Sequence, residues 1–336
     1  MFALIRQAPP QFKRKVGMLL ARSTVQSPAV QRGRGRIYLN VGHTGLDHPG
    51  LERWAARLNV RPVLLVADLI PVTHPEFCRP GEKEKHEQRM ENLLRAGAGV
   101  IGISQDTLDE LSDFAERRGL SMPPAIASHI GIKHEDVGQL PEVPPFEGRP
   151  YFIMLGTIEG RKNHLLLLNI WRELTARLGD RAPMLLVIGQ RGWECEQVVD
   201  ILERCERVRG HVIELSRLPD ATVLHYLRHA RALLFPSFVE GYGIPLVEAL
   251  SLRTPVIASD LNVFRELAGD IPDYLSPIDG AGWMRAIIDY SATDSAARAA
   301  QIGRLQGYRG PDWGQHFVEV DAWLSQMSQS ASDRHM

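Results

Sequence analysis

The chain has 336 residues, 44% hydrophobic and 24% charged, with 39 basic side chains against 40 acidic ones. That balance suits a globular protein of two ordinary domains and excludes a disordered, fibrous or multi-span membrane chain. Charge is unevenly placed: no acid precedes Asp47, whereas Arg6, Lys13, Arg14, Lys15, Arg22, Arg32, Arg34 and Arg36 make the opening basic.

Within that opening, Phe12, Val16, Leu19 and Leu20 fall near one helical face between cations. This is the pattern of a helix lying on anionic lipid, so residues 1–36 are expected either to touch a membrane peripherally or to form a solvated arm. Nucleic acid is not expected as a partner, because no basic platform interleaved with aromatics follows. No apolar run approaches the roughly 18 residues of a membrane span, and Val16 to Ala21 is short and lacks a secretory cleavage site. A cytoplasmic protein is expected, with peripheral contact at the inner face of the membrane through the basic arm. Cys78, Cys195 and Cys205 are odd in number and without metal-ligand spacing, so they read as reduced thiols.

From Arg36 onward short apolar runs alternate with helical stretches. Strands are expected at Ile37–Val41, Pro62–Ala67, Gly99–Ile103 and Ala125–Ile130, with helices at Leu51–Leu58, Glu82–Arg95 and Gln105–Arg118. The Pro- and Gly-containing stretch Pro141–Pro150 reads as a linker. Beyond it, strands are expected at Tyr151–Leu155, Pro183–Ile188, His211–Leu215, Ala232–Pro236 and Pro255–Ala258. Helices are expected at Leu165–Leu178, Ala221–His229 and Pro245–Leu252. A last helix, Trp313–Met327, precedes a polar tail, Ser328–Met336, expected to fray. The division is thus 1–140, linker 141–150, 151–310, and a helix and tail over 311–336: two doubly wound α/β domains facing across a cleft.

Two loops carry the chemistry. Gly156, Thr157, Ile158, Glu159, Gly160, Arg161, Lys162 and Asn163 run from a strand end into a helix start, where small residues, a helix N-terminus and two cations suit a diphosphate. The second loop runs Phe235, Pro236, Ser237, Phe238, Val239, Glu240, Gly241, Tyr242, Gly243, Ile244, Pro245, Leu246, Val247, Glu248. Pro245 suits a first helical turn, and the glycines leave amides free for an anion. Carboxylates repel phosphate, so Glu240 and Glu248 fit sugar hydroxyls on either side of it. No Asp-x-Asp occurs, so no metal is expected.

On these residues the chain resembles a retaining glycosyltransferase of the GT-B fold, from the family 4 group (glycosyl transferases group 1), most of all its mannosyltransferases. The spaced glutamates, the Gly-then-Arg-Lys loop, and Thr254, Pro255, Val256 and Ile257 with Ser259 carry the likeness over about residues 36–310. The resemblance implies transfer of a hexose from a nucleotide diphosphate sugar bound by the C-terminal domain, with configuration kept. The acceptor would be a glycan or a lipid-linked glycan, in polysaccharide or glycolipid assembly. GDP-mannose is the favoured donor, from the likeness of Asp68–Glu76 to mannosyltransferases. The nucleotide sugar is a co-substrate; no other cofactor is implied. Arg161 and Lys162 would stabilise the departing diphosphate, Glu240 would hold the donor sugar and Glu248 the ribose. Gly156, Thr157, Gly241, Tyr242, Gly243, Leu246 and Val247 would line the donor site, and the domains would close about Pro141–Pro150 on donor binding.

Departures concentrate in the N-terminal half. Ala67 stands where the family commonly has a histidine facing the donor sugar. His43, His74 or His86 could supply that imidazole. Asp68 would either orient an acceptor hydroxyl or tie its own chain turn. Arg253 replaces the usual glycine after the glutamate helix, and a left-handed arginine would cost about 1–2 kcal/mol, so the helix is expected to end another way. Two alternatives follow: a nucleotide-sugar-binding partner without transfer, or a sugar-nucleotide epimerase on the same fold.

Overall fold

A computed structural model describes residues 36–42, 45–48, 50–132, 146 and 148–332. The basic arm before Arg36, His43 and most of the Pro141–Pro150 stretch lie outside the described residues. Among the described residues no helix is long and apolar enough to cross a membrane.

The N-terminal domain is built on four parallel strands in the order β1-β2-β3-β4: β1 Ile37–Asn40, β2 Arg61–Val66, β3 Gly99–Gly102 and β4 Ala125–Ala127. Helix α1 (Leu51–Leu58) joins β1 to β2; a single turn, α2 (Ile70–Thr73), and α3 (Glu82–Ala96) lead to β3, and α4 (Gln105–Arg118) leads to β4. Helix α4 shows why the local sequence suffices: Ser104 caps its start by accepting from the Thr107 N–H at 3.1 Å, and Gly119 ends it in the left-handed region.

The C-terminal domain holds six parallel strands in the order β10-β9-β8-β5-β6-β7. They are β5 Tyr151–Leu155, β6 Met184–Ile188, β7 Val212–Leu215, β8 Leu233–Phe235, β9 Val256–Ser259 and β10 Asp273–Leu275. The helices are α5 His164–Leu178, α6 Glu196–Arg204, α7 Asp220–His229, α8 Ile244–Ser251, α9 Asn262–Ala268, α10 Gly280–Ser291 and α11 Ala296–Arg304. Strands covered on both faces read as unbroken apolar runs, and every residue of β5 and β6 is buried. Successive side chains alternate between layers. Tyr151, Ile153 and Leu155 join a core with Leu246 and Leu250 of α8, while Phe152 and Met154 join one with Leu167 and Trp171 of α5.

The last helix, α12 (Trp313–Ser332), continues through part of the stretch expected to fray, and it returns to the N-terminal sheet. Val320 and Met327 pack with Val63 and Ile101, and the Arg61 guanidinium donates to the Met327 carbonyl at 2.6 Å. Gly99 makes room for this helix, since a Cβ there would come within 2.6 Å of the Trp323 ring.

Several sequence expectations are corrected. Strand β4 is shorter than Ala125–Ile130, and β10, α2, α6, α9, α10 and α11 were not anticipated. Arg253 does take the left-handed conformation, at φ 62°. Its guanidinium donates to the Leu305 carbonyl, which offsets the backbone cost.

Candidate active site

The C-terminal sheet reverses direction between β5 and β8: the chain runs outward from β5 to β7 on one side, then from β8 to β10 on the other. Crevices at the carboxyl ends of strands open where such an order reverses. The two loops leaving β5 and β8 are the two singled out by sequence.

They are tied to each other. The Phe238 N–H donates to the Arg161 carbonyl at 2.8 Å. The Asn163 side chain, from a left-handed residue at φ 62°, donates to the Pro236 and Pro277 carbonyls at 3.1 and 2.8 Å. Sequence reasoning gave Asn163 no such role; its signal was an asparagine just ahead of a helix, where a left-handed residue is tolerated. Gly156 and Gly243 sit at φ +138° and +120°, conformations that side-chain-bearing residues rarely adopt.

Three of the expected site residues come together as one buried cluster. Glu240 accepts from the Arg161 guanidinium at 2.8 Å, from the Lys162 ammonium, and from the Ser237 hydroxyl at 2.7 Å. Glu159 takes a further Arg161 nitrogen at 2.7 Å, and the Lys162 ammonium lies 5.3 Å from the Phe235 ring centre. Burial pulls the Lys162 ammonium below its usual range despite the Glu240 charge, and Arg161 adds repulsion. Burial acts downward on Arg161 too, but Glu240 and Glu159 carry it above its usual value. His164 beside them is buried with both ring nitrogens unpaired, and burial with the Lys162 charge lowers it to about 3, so it is neutral at pH 7.

The N–H groups of Gly241, Tyr242 and Gly243 donate to no protein acceptor among the described residues. Successive free amides are the groups from which anion sites are built. Leu246 and Val247 differ from expectation: their side chains are fully buried, and their amides already donate to the Gly243 carbonyl at 2.9 and 3.3 Å. Their side chains shape the helix start.

Glu248 stands apart from the cation cluster and pairs with none of it. Burial, with the Asp220 charge, pushes its carboxyl up to about 7. Thr157 is exposed at the mouth of the first loop. A cavity of about 470 Å³ opens beside that loop, lined by Glu159, Gly160, Asn163, His164 and Phe238 among others.

The N-terminal domain closes directly onto the second loop. A Cβ on Gly241 would lie 2.6 Å from the Asp68 Cβ and 2.7 Å from the Ala67 carbonyl. The Tyr242 hydroxyl donates to the Ile130 carbonyl at 2.8 Å, and Phe77 stacks on Phe238 at 5.4 Å. Asp68 Oδ1 accepts from the Ile70 N–H at 3.1 Å, so this carboxylate ties its own turn. Of the histidines weighed, His86 is buried against the Asp68 carbonyl at 3.1 Å, His74 stacks on Phe77, and His43 is outside the described residues.

Residues 139–271 match the family model for glycosyl transferases group 1. Over that segment, which takes in most of the C-terminal domain, the chain is similar to this family. Among its relatives, the serotype-specific mannosyltransferase WbdA of Escherichia coli is 32% identical over 241 residues, covering 68% of this chain and 29% of that protein. The O-antigen chain mannosyltransferase B of Escherichia coli is 35% identical over 224 residues, covering 65% and 58%. The chain thus spans well under two thirds of these relatives' length. The fold is GT-B. The α,α-trehalose 6-phosphate synthase of Burkholderia multivorans superposes with a TM-score of 0.70 at 13% identity, covering 99% of this chain and 79% of that one. TarM superposes at 0.60 and 12% identity, covering 88% and 56%.

Proposed function

We propose that this chain is a group 1 glycosyltransferase that moves mannose from GDP-mannose to a glycan or lipid-linked glycan, with the anomeric configuration kept. The observation that carries the reading is the gathering of Arg161, Lys162 and three free amides on two adjoining loops, with Glu240 beside them. As the glycosidic bond breaks, negative charge grows on the leaving phosphate, and fixed cations and N–H groups aimed there lower the barrier. Glu240 would then exchange part of its ion pairing for donor-sugar hydroxyls, and Glu248 would accept from the ribose. The leaving phosphate itself would take the acceptor proton, so no side-chain base is assigned. The sequence has no Asp-x-Asp, and transfer is proposed to proceed without a metal. The mannosyltransferase relatives support the choice of sugar.

The deciding experiment incubates the full chain with labelled GDP-mannose, UDP-glucose or UDP-GlcNAc, with and without manno-oligosaccharides, and analyses the products. Mannosyl extension with EDTA present and only GDP-mannose productive is the expected result. Stabilisation by GDP with no labelled product under any condition would favour the second reading, a binding partner without transfer. Ala67 and the close seating of Gly241 on it are what favour that alternative. Peripheral membrane contact through residues 1–36 is a separate proposal, tested by vesicle co-sedimentation before and after deleting them.

A further inference from the structure

A second set of contacts between the domains takes no part in the transfer chemistry above. Helix α4 leaves its first N–H groups without helical partners. Ser104 takes the one on Thr107; the two before it go to the opposite domain. Glu266 of α9 accepts from the Gln105 N–H at 2.7 Å with one carboxylate oxygen and from the Asp106 N–H at 3.0 Å with the other. Its Oε1 also meets His129 Nε2 at 2.6 Å, just beyond β4.

The same helix end meets the loop of free amides. The Ser104 and Thr107 hydroxyls each lie 3.5 Å from the Gly241 carbonyl. The Tyr242 ring, 6.1 Å from the His129 ring, anchors on the Ile130 carbonyl. A carboxylate and a carbonyl of the C-terminal domain therefore dock on one helix N-terminus of the N-terminal domain, where partial positive charge favours them. Burial acts to raise the Glu266 carboxyl, but the bonds from His129 and the two amides hold it below its usual range.

We propose that Glu266 is a positioning residue. It fastens α4 and β4 to the C-terminal domain and thereby sets the Gly241–Gly243 amides against the Ala67–Asp68 edge, across which donor and acceptor would meet. The kinetic consequence rests on the transferase reading; the fastening does not.

The test compares the full-length parent with Glu266→Ala, Glu266→Gln and His129→Ala. Small-angle scattering reads the spacing of the domains, calorimetric titration reads GDP-mannose affinity, and GDP release reads turnover. Glu266→Ala is expected to enlarge the radius of gyration and to lower kcat about tenfold or more, with donor Kd within about threefold, because small misplacement of reacting groups costs rate rather than binding. Glu266→Gln should fall between it and the parent. Unchanged scattering and kcat in a folded Glu266→Ala protein would overturn the proposal, as would a loss of donor affinity equal to the loss of kcat. Should Glu266→Ala not fold, Glu266→Gln and His129→Ala carry the same comparison, and parent-like scattering in both would count against it. A parent that turns over no sugar nucleotide removes the transferase reading, and scattering then decides the fastening alone.

Discussion

Glu240→Gln isolates what the buried carboxylate does for the two cations it neutralises. The Lys162 and Glu240 side chains are only 8% and 7% exposed, so solvent screens their interaction little. Removing one partner of such a pair leaves charge uncompensated and costs about 3–5 kcal/mol. Glutamine keeps the shape and one acceptor oxygen, which places the expected loss near the lower end, about 3 kcal/mol at pH 7. For a domain of this size that is about 6–12 °C in Tm. The loss should also depend on pH. Lys162 already sits below its usual range, and without Glu240 it falls further. Between that lowered value and the ordinary lysine value the folded protein binds fewer protons than the unfolded chain, so stability rises with pH. The deficit should therefore be smaller at pH 10, close to the ordinary lysine value of about 10.4, than at pH 7. Urea unfolding of parent and variant at both pH values measures it. A deficit under about 1 kcal/mol at pH 7, or one that is the same at both pH values, would refute this account of the cluster.

Lys162→Ala is expected to lower kcat on the order of 100-fold or more at saturating donor; unchanged turnover in a rapid-quench assay would contradict a charge-stabilising role. Gly241→Ala forces a methyl against Asp68 and the Ala67 carbonyl, so it should depress kcat with little change in the melting of the C-terminal domain. A variant with parental kcat would show that the domains need not seat this closely. Glu248, raised to about 7, should bind donor ribose better as pH rises through that value and its carboxylate forms. Titration calorimetry from pH 6 to 8 tests this, and Glu248→Gln should abolish the dependence. The same raised value makes the protonated carboxyl favour the fold below pH 7, an advantage lost as pH rises through it. Glu248→Gln should accordingly melt no lower than the parent at pH 8.

How much of this was readable in advance follows from where each signal resides. Tyr151–Leu155, Gln105–Arg118 and Leu51–Leu58 keep their expected bounds because burial on both faces, a cap at each end, or the left-handed Asn59 that ends the last of these is written locally. Strand β10 has only three residues, all half-buried, and includes Asp273, so no apolar run announces it. Helix α10 opens Gly-Ala-Gly and owes its place to Trp283 and Ile287, which are fully buried by tertiary packing. At the site, the cation pair and Glu240 were legible because glycine loops at strand ends are local features. At Leu246 and Val247 nearness to such a loop does not reveal that each amide is already engaged by the Gly243 carbonyl. Glu266 was invisible, since its partners lie about 160 and 137 positions away and only the folded arrangement brings them to it.

The return of α12 to the N-terminal sheet means that the polypeptide passes between the two halves twice, once before β5 and again between α11 and α12. Two attachment points define a line, and a body held at two points swings about that line instead of swivelling freely. Opening and shutting would thus follow one hinge axis, with the loop amides sweeping an arc toward or away from Ala67. The N-terminal half is moreover no independent module: severed after β4, it would expose Val63, Ile101 and the hollow at Gly99 that the final helix fills.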